Sequence, residues 1–108
     1  MTPEEAFKRQ LSEIPLTTEG EVVRLLEDDT EGVPHQRFII KLRSGHTLLV
    51  VNNLELGERL GLKEGGFVEV LGTYIWNNEG GVIHETHAQE EGSPYEEGYI
   101  LVKNESPS

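Results

Sequence analysis

The side chains best suited to chemistry in this sequence are His35, Gln36, Asn53, Trp76, Asn77, His84 and His87. A histidine titrates near neutrality, so it can act as a general base or a metal ligand. Two of the 4 histidines stand together in His84-Glu85-Thr86-His87. The helical zinc motif spaces its histidines at i, i+4 around a glutamate. Here the spacing is i, i+3 in a segment that reads as a strand. Alternation then puts the two rings on opposite faces unless the strand ends or bulges between them. The favoured reading is therefore two partly exposed polar residues at a strand end, with no metal site and no cofactor. With 0 cysteines, thiolate zinc sites and disulfides are excluded.

The remaining polar groups each carry two readings. Trp76-Asn77 ahead of Gly80-Gly81 is either a ligand platform or a core aromatic followed by the residue types a tight turn requires. Asn52-Asn53 reads as a strand end and a helix cap, and Asp28-Asp29 as a solvated acidic turn. His35, Arg37, Lys41 and Arg43 place basic groups on one face of one strand. That face is a local anion site or an exposed surface paired with the surplus acids. No Ser/His/Asp spacing, phosphate-cradling glycine loop or paired-carboxylate signature is present.

The elements that must position these groups follow from periodicity. Thr2-Pro3-Glu4-Glu5 combines a cap, a first-turn proline and a capping-box glutamate. Phe7, Leu11 and Ile14 continue it as one helical stripe that Pro15 ends. Strands are expected over 21–26, 34–43, 46–52, 67–76, 82–87 and, last and short, 99–102. Asn53 is expected to cap a short helix over 54–60, with Leu56 and Leu60 plugging one end of a barrel. Gly72 inside the fourth strand suggests a bulge or corner. Three strands, a short helix and two strands give a mostly-β, five-stranded OB-like Greek-key barrel behind an N-terminal helix. An SH3-like small barrel is the alternative. In domain terms, residues 1–18 form the helix and connector, 19–103 the barrel and 104–108 a frayed tail. The predicted core is Phe38, Ile40, Leu42, Leu49, Val68 and Val70. Barrel topology is expected to gather His35, Gln36, Asn53, Asn77, His84 and His87 at one mouth, as a functional site or as a network holding the hairpin to the barrel.

The 108 residues suit one domain, and the net charge of −11 disfavours polyanions. Nucleic-acid binding rests largely on Lys and Arg neutralising phosphates. No apolar run reaches the ~20 residues of a membrane span. The acidic, polar start lacks the features of a secretory signal, so a cytoplasmic location and no membrane contact are expected.

Several phrases resemble the bacterial domain of unknown function 3465 family. They are Val22-Val23-Arg24-Leu25-Leu26-Glu27-Asp28-Asp29, His35-Gln36-Arg37-Phe38 and Ser44-Gly45-His46-Thr47-Leu48-Leu49-Val50. Gly72-Thr73-Tyr74-Ile75-Trp76-Asn77, Gly80-Gly81-Val82-Ile83-His84 and Thr86-His87 continue the likeness. The resemblance implies no established activity. Members tend to carry a histidine where this chain has Asn52, and a richer aromatic and histidine cluster around positions 84–88.

Together these features point to a small OB-like binding or interaction module without catalysis, whose partner is a small polar ligand or a protein. The competing expectations are a hydrolase or metal-dependent enzyme built on the His/Gln/Asn cluster, and a single-strand nucleic-acid binder stacking bases on Tyr74 or Trp76.

Overall fold

The computed structural model describes residues 1–89, 91–94 and 97–103. Its elements are α1 (Pro3–Lys8), β1 (Ile14–Leu25), β2 (His35–Lys41), β3 (Thr47–Asn53), β4 (Phe67–Ile75), β5 (Val82–His84) and β6 (Tyr99–Val102). Thr2 caps α1 as expected, its hydroxyl accepting the Glu5 N–H at 3.2 Å. The helix then stops early. Gln10 and Glu13 take positive φ of 54° and 62°, and the chain enters β1 at Ile14. Ile14 and Pro15, expected to close the helix, are instead strand residues opposite Tyr74 and Thr73. Pairing along the whole length of a neighbouring strand outweighs the local helical periodicity. Residues 14–18 therefore belong to the barrel wall and not to a connector.

β1 is the corner of the barrel. Its first part pairs antiparallel with β4, from Ile14↔Tyr74 to Glu21↔Phe67. From Glu21 it also pairs antiparallel with β2, and a register shift between Val22 and Arg24 interrupts that second ladder. Such a bulge bends and twists a strand enough to serve two neighbours. β2 pairs with β3 antiparallel, and β3 with β5 parallel through Leu49↔Val82 and Val50↔Ile83. β5 returns antiparallel to β4. The circuit β1-β2-β3-β5-β4-β1 closes a five-stranded barrel with OB-like connectivity.

β6 lies on the same edge of β4 as β5. β5 covers Thr73–Ile75 of β4 and β6 covers Val68–Leu71, running in the same direction. The two are halves of one strand, interrupted by an excursion that leaves after His84 and returns at Gly98. At the interruption sits Gly72, where no bulge occurs, since the β1–β4 register runs through it unbroken. The glycine is needed for another reason. A Cβ there would lie 2.5 Å from the His84 carbonyl oxygen and 2.8 Å from Thr86 Cγ2. The loop thus leaves the sheet directly against the backbone of β4.

Phe38, Ile40, Leu42, Val68 and Val70 are buried as expected, joined by Leu16, Val22, Leu48, Val50, Tyr74 and Ile83. Leu49 is the exception, lying half-buried on the outer face. The pairings Phe38↔Val50 and Ile40↔Leu48 fix the register of β3, so Leu48, Val50 and Asn52 point inward. The expected helix over 54–60 does not form either. Asn53 Oδ1 accepts from the Glu55 and Leu56 N–H groups, at 2.9 and 3.2 Å, but the turn ends at Gly57. A single turn has too few hydrogen bonds to propagate. Leu56 is consequently 49% exposed and plugs nothing. The tail at 104–108 lies outside the described residues, as do residues 90, 95 and 96 of the excursion. Among the described residues, no helix is long and apolar enough to cross a membrane.

Candidate functional site

The chemistry-bearing residues separate between the two ends of the barrel. β3 alone, seven residues long, spans about 20 Å. His35 and Gln36 lie opposite Asn53 and Asn52 at one end. The segment His84 to His87 joins them there, with Thr86 donating its hydroxyl to the Val51 carbonyl at 2.8 Å. Trp76 and Asn77 belong to the other end, beside Phe7 and His46. The single mouth expected from topology is therefore two, because the stretch from Gly81 through β5 to Thr86 runs between them.

At the first end, Gln36 and Asn52 are buried neighbours across the β2–β3 ladder. Gln36 Nε2 donates to the Leu60 carbonyl at 3.0 Å, and its Oε1 accepts the Leu60 N–H at 2.9 Å. Asn52 Nδ2 donates to Gln36 Oε1 at 3.2 Å and to the Glu58 carbonyl at 2.8 Å. Two side-chain amides thus do for the segment 58–60 what a ladder partner would do, tying it to the end of the β2–β3 pair where a helix was expected. Gln36→Ala leaves both backbone groups of Leu60 without their partner. A loss of about 1–3 kcal/mol is expected, the cost of unsatisfied buried polar groups, read as a lowered urea midpoint.

His84 and His87 both lie beside Glu85. The strand stops at His84, and Glu85 takes a positive φ of 54°. Its carboxylate lies 3.2 Å from His87 Nε2 and 3.9 Å from His84 Nδ1. Gln89 Nε2 adds a contact to the same carboxylate at 3.3 Å. Sequence spacing points to the histidines; the glutamate between them is the group that holds His87. Among the described residues, no group of three His, Cys, Asp or Glu side chains is arranged to hold a metal ion. Nearby, a recess of about 400 Å³ runs between Leu56 and the excursion, bordered by Glu85, Gln89 and Ser93.

At the second end the groups hold structure. Asn77 Oδ1 accepts the N–H groups of Glu79 and Gly81 at 2.9 and 2.8 Å, which fixes the hairpin turn. Gly80 and Gly81 have φ of 118° and 102°, which suits glycine. The Gly80 carbonyl accepts the Tyr74 hydroxyl at 3.0 Å and lies 2.8 Å from His46 Nε2. Burial pushes the Tyr74 hydroxyl above its ordinary pKa, so it stays a donor. Trp76 donates its indole N–H to the Phe7 carbonyl at 3.1 Å and stacks on the Phe7 ring at 6.3 Å. It fastens α1 to the barrel.

Between the two ends, the outer face of β2 and β3 carries a cleft of about 240 Å³, bordered by Leu26, Arg37, Ile39, Leu49, Asn77 and Glu79. Arg37 donates its Nε–H to the Glu27 carbonyl at 3.1 Å, which sets the guanidinium at the rim. Ile39 and Leu49 are cross-strand partners and form its apolar floor. Of these, the strand alternation singled out Arg37 alone. The available signal was Ile39, an apolar residue on the face that alternation turns to water; Leu49, expected in the core, is placed on this face by its pairing with Ile39.

A family model described as a protein of unknown function, DUF3465, matches residues 2–106. No curated protein matches the chain, and no solved structure matches it.

Proposed function

The chain belongs to the DUF3465 family, whose description assigns no function; from the geometry of the barrel we propose that it is a binding module without catalytic activity, taking its ligand on the outer face of β2 and β3. The observation that carries this reading is the cleft over Ile39 and Leu49 with Arg37 at its rim. OB-like barrels bind on this face and on the loops beside it. A half-apolar floor with one fixed guanidinium suits a ligand that has an apolar face and a few acceptors, such as a short oligosaccharide or a peptide segment. The charge of −11 weighs against a polyanion.

The competing readings are supported less. Catalysis by the His/Gln/Asn cluster needs side chains that converge and are available. Gln36, Asn53 and Asn77 are each engaged with backbone, and Asn77 stands at the opposite barrel end. Base stacking needs exposed aromatic faces, whereas Tyr74 is buried and Trp76 lies on Phe7.

The test is an amide-resolved NMR titration with pools of oligosaccharides and short peptides. Ligands are expected to shift Arg37, Ile39 and Leu49. Leu49→Lys is expected to weaken their binding about tenfold or more, with little change in melting temperature because the side chain already faces outward. Shifts confined to residues 84–89, or turnover of any pool member, would refute the reading.

A further inference from the structure

The cleft on the outer face of β2 and β3 carries opposite charges at its two ends. Along the ladder, Ile39↔Leu49 lies at the centre, with Arg37↔Val51 on one side and Lys41↔Thr47 on the other. Leu26 and Arg37 border the first end. Thr47, Asn77 and Glu79 border the second, where the turn 77–81 comes in. From position 37 to position 41 of β2 is about 13 Å at the rise of a strand.

The first end is cationic. Arg37 donates its Nε–H to the Glu27 carbonyl at 3.1 Å, so the two terminal amino groups are its remaining donors. Arg24, the register partner of Ile39 on β1, adds a second cation beside the floor. Among the described residues, the lysine and arginine ion pairs involve Arg9, Arg59 and Lys103, and neither Arg24 nor Arg37 takes part. The second end is anionic. Asn77 Oδ1 accepts the Glu79 N–H at 2.9 Å, which fixes the backbone that carries this exposed carboxylate. Lys41 lies opposite Glu21 on β1, so these two charges offset each other outside the cleft.

We infer that the cleft takes a short peptide with free termini, its C-terminal carboxylate on the Arg37 amino groups and its N-terminal ammonium at Glu79. An aliphatic side chain of the peptide lies on Ile39 and Leu49. This rests on the binding face proposed above and narrows its ligand. The match is one of sign, order and spacing. A guanidinium presents parallel N–H groups to the two oxygens of a carboxylate. The ammonium is donor only, and the Glu79 carboxylate and Thr47 hydroxyl are acceptors for it. An extended chain advances at most about 3.3–3.6 Å per residue, so about three or four residues span the cleft. A neutral saccharide answers neither charge, and a uronate answers only one. Among the residues that border the cleft there is no aromatic ring for a pyranose face to lie on, whereas the aliphatic floor suits a Leu or Val side chain. A segment inside a longer chain brings amides to both ends in place of charges.

The test is an amide-resolved NMR titration of the whole chain with a pool of tri- and tetrapeptides of Ala, Leu, Val and Ser. Shifts at Arg37, Ile39, Leu49 and Glu79 are expected. The tightest member is then remade with its C-terminus amidated or its N-terminus acetylated. Each block is expected to raise Kd about fivefold or more, and less so at high salt. Arg37→Gln should remove the effect of amidation and keep that of acetylation, and Glu79→Gln should do the reverse. A loss of folding cannot produce this crossed pattern. Blocked peptides that bind as well as free ones, or block effects that neither substitution changes, would overturn the inference. So would neutral oligosaccharides that shift Ile39 and Leu49 where the peptides do not, in which case the binding face stands with another ligand. If neither pool shifts these residues, the face and the inference fall together.

Discussion

Phe38→Ala is expected to destabilise the barrel by about 3–5 kcal/mol, the loss typical of a buried aromatic cut back to a methyl group. Phe38 is wholly buried at the centre of β2. It lies opposite Val50 on β3 and Leu25 at the end of β1, so its backbone is held between two neighbouring strands. The surrounding wall is continuous sheet on each side, and a closed ladder relaxes little into a void. Most of the cavity should therefore persist, which places the cost toward the upper part of that range. Phe38→Leu retains more of the volume and should lose less. Urea denaturation followed by tryptophan fluorescence measures both. A loss below about 1 kcal/mol for the alanine variant would show that β2 packs more loosely than its burial implies.

Gly72→Ala should be nearly as damaging although it adds only one methyl. That methyl would sit 2.5 Å from the His84 carbonyl oxygen and 2.7 Å from Ile83 Cγ2. The contact is with backbone, so no rotamer change relieves it. β5 must separate from β4, or the excursion must lift at its root. Gly98 closes that root from the other side, since a Cβ there would come 2.1 Å from the Glu85 carbonyl oxygen. Overpacking costs about 1–3 kcal/mol or more where neighbours cannot yield. A second readout separates this from a general loss of stability. Hydrogen exchange should accelerate first at Val82–His84 and at Gly98, with the β1–β2 ladder retaining its protection. Uniform acceleration across all strands would contradict the pinched-root picture.

The legible and illegible parts of this chain divide along physical lines. Alternation in β2 was legible because Phe38, Ile40 and Leu42 face the core while Arg37, Lys41 and Arg43 face water, so one face is unambiguous. β3 was not legible in the same way. Leu48, Leu49, Val50 and Val51 are all apolar, and only pairing with β2 decides which of them point inward. The helical stripe through Ile14 misled because 14–25 gains more from lying between β4 and β2 than a short helix gains from its own hydrogen bonds. At the candidate site, the residue types were visible but their grouping was not. Trp76 and His87 are eleven positions apart in sequence yet occupy opposite barrel ends, since β5 travels between them. The cleft was hidden for the same reason. Asn77 and Leu49 meet across elements remote in sequence, and no local pattern records that.

The pairing of β1 with β4 also determines how the molecule can assemble. Ile14 must find Tyr74 and Glu21 must find Phe67, so the barrel's longest ladder joins segments on either side of β2 and β3. The β2–β3 hairpin can form early, because only the short turn around Gly45 separates its strands. The β4–β5 hairpin is similarly local, with Ile75 opposite Val82, while the β1–β4, β3–β5 and β4–β6 pairings wait on closing larger chain loops, whose entropy is lost before any contact repays it. The parallel β3–β5 seam, two residue pairs long, has little to offer until β4 is in place. Folding on a timescale of roughly milliseconds to seconds follows, with the local hairpins first and ring closure last. Until that closure, the edges of β1 and β4 remain unpaired in a chain whose high negative charge then keeps the open forms apart.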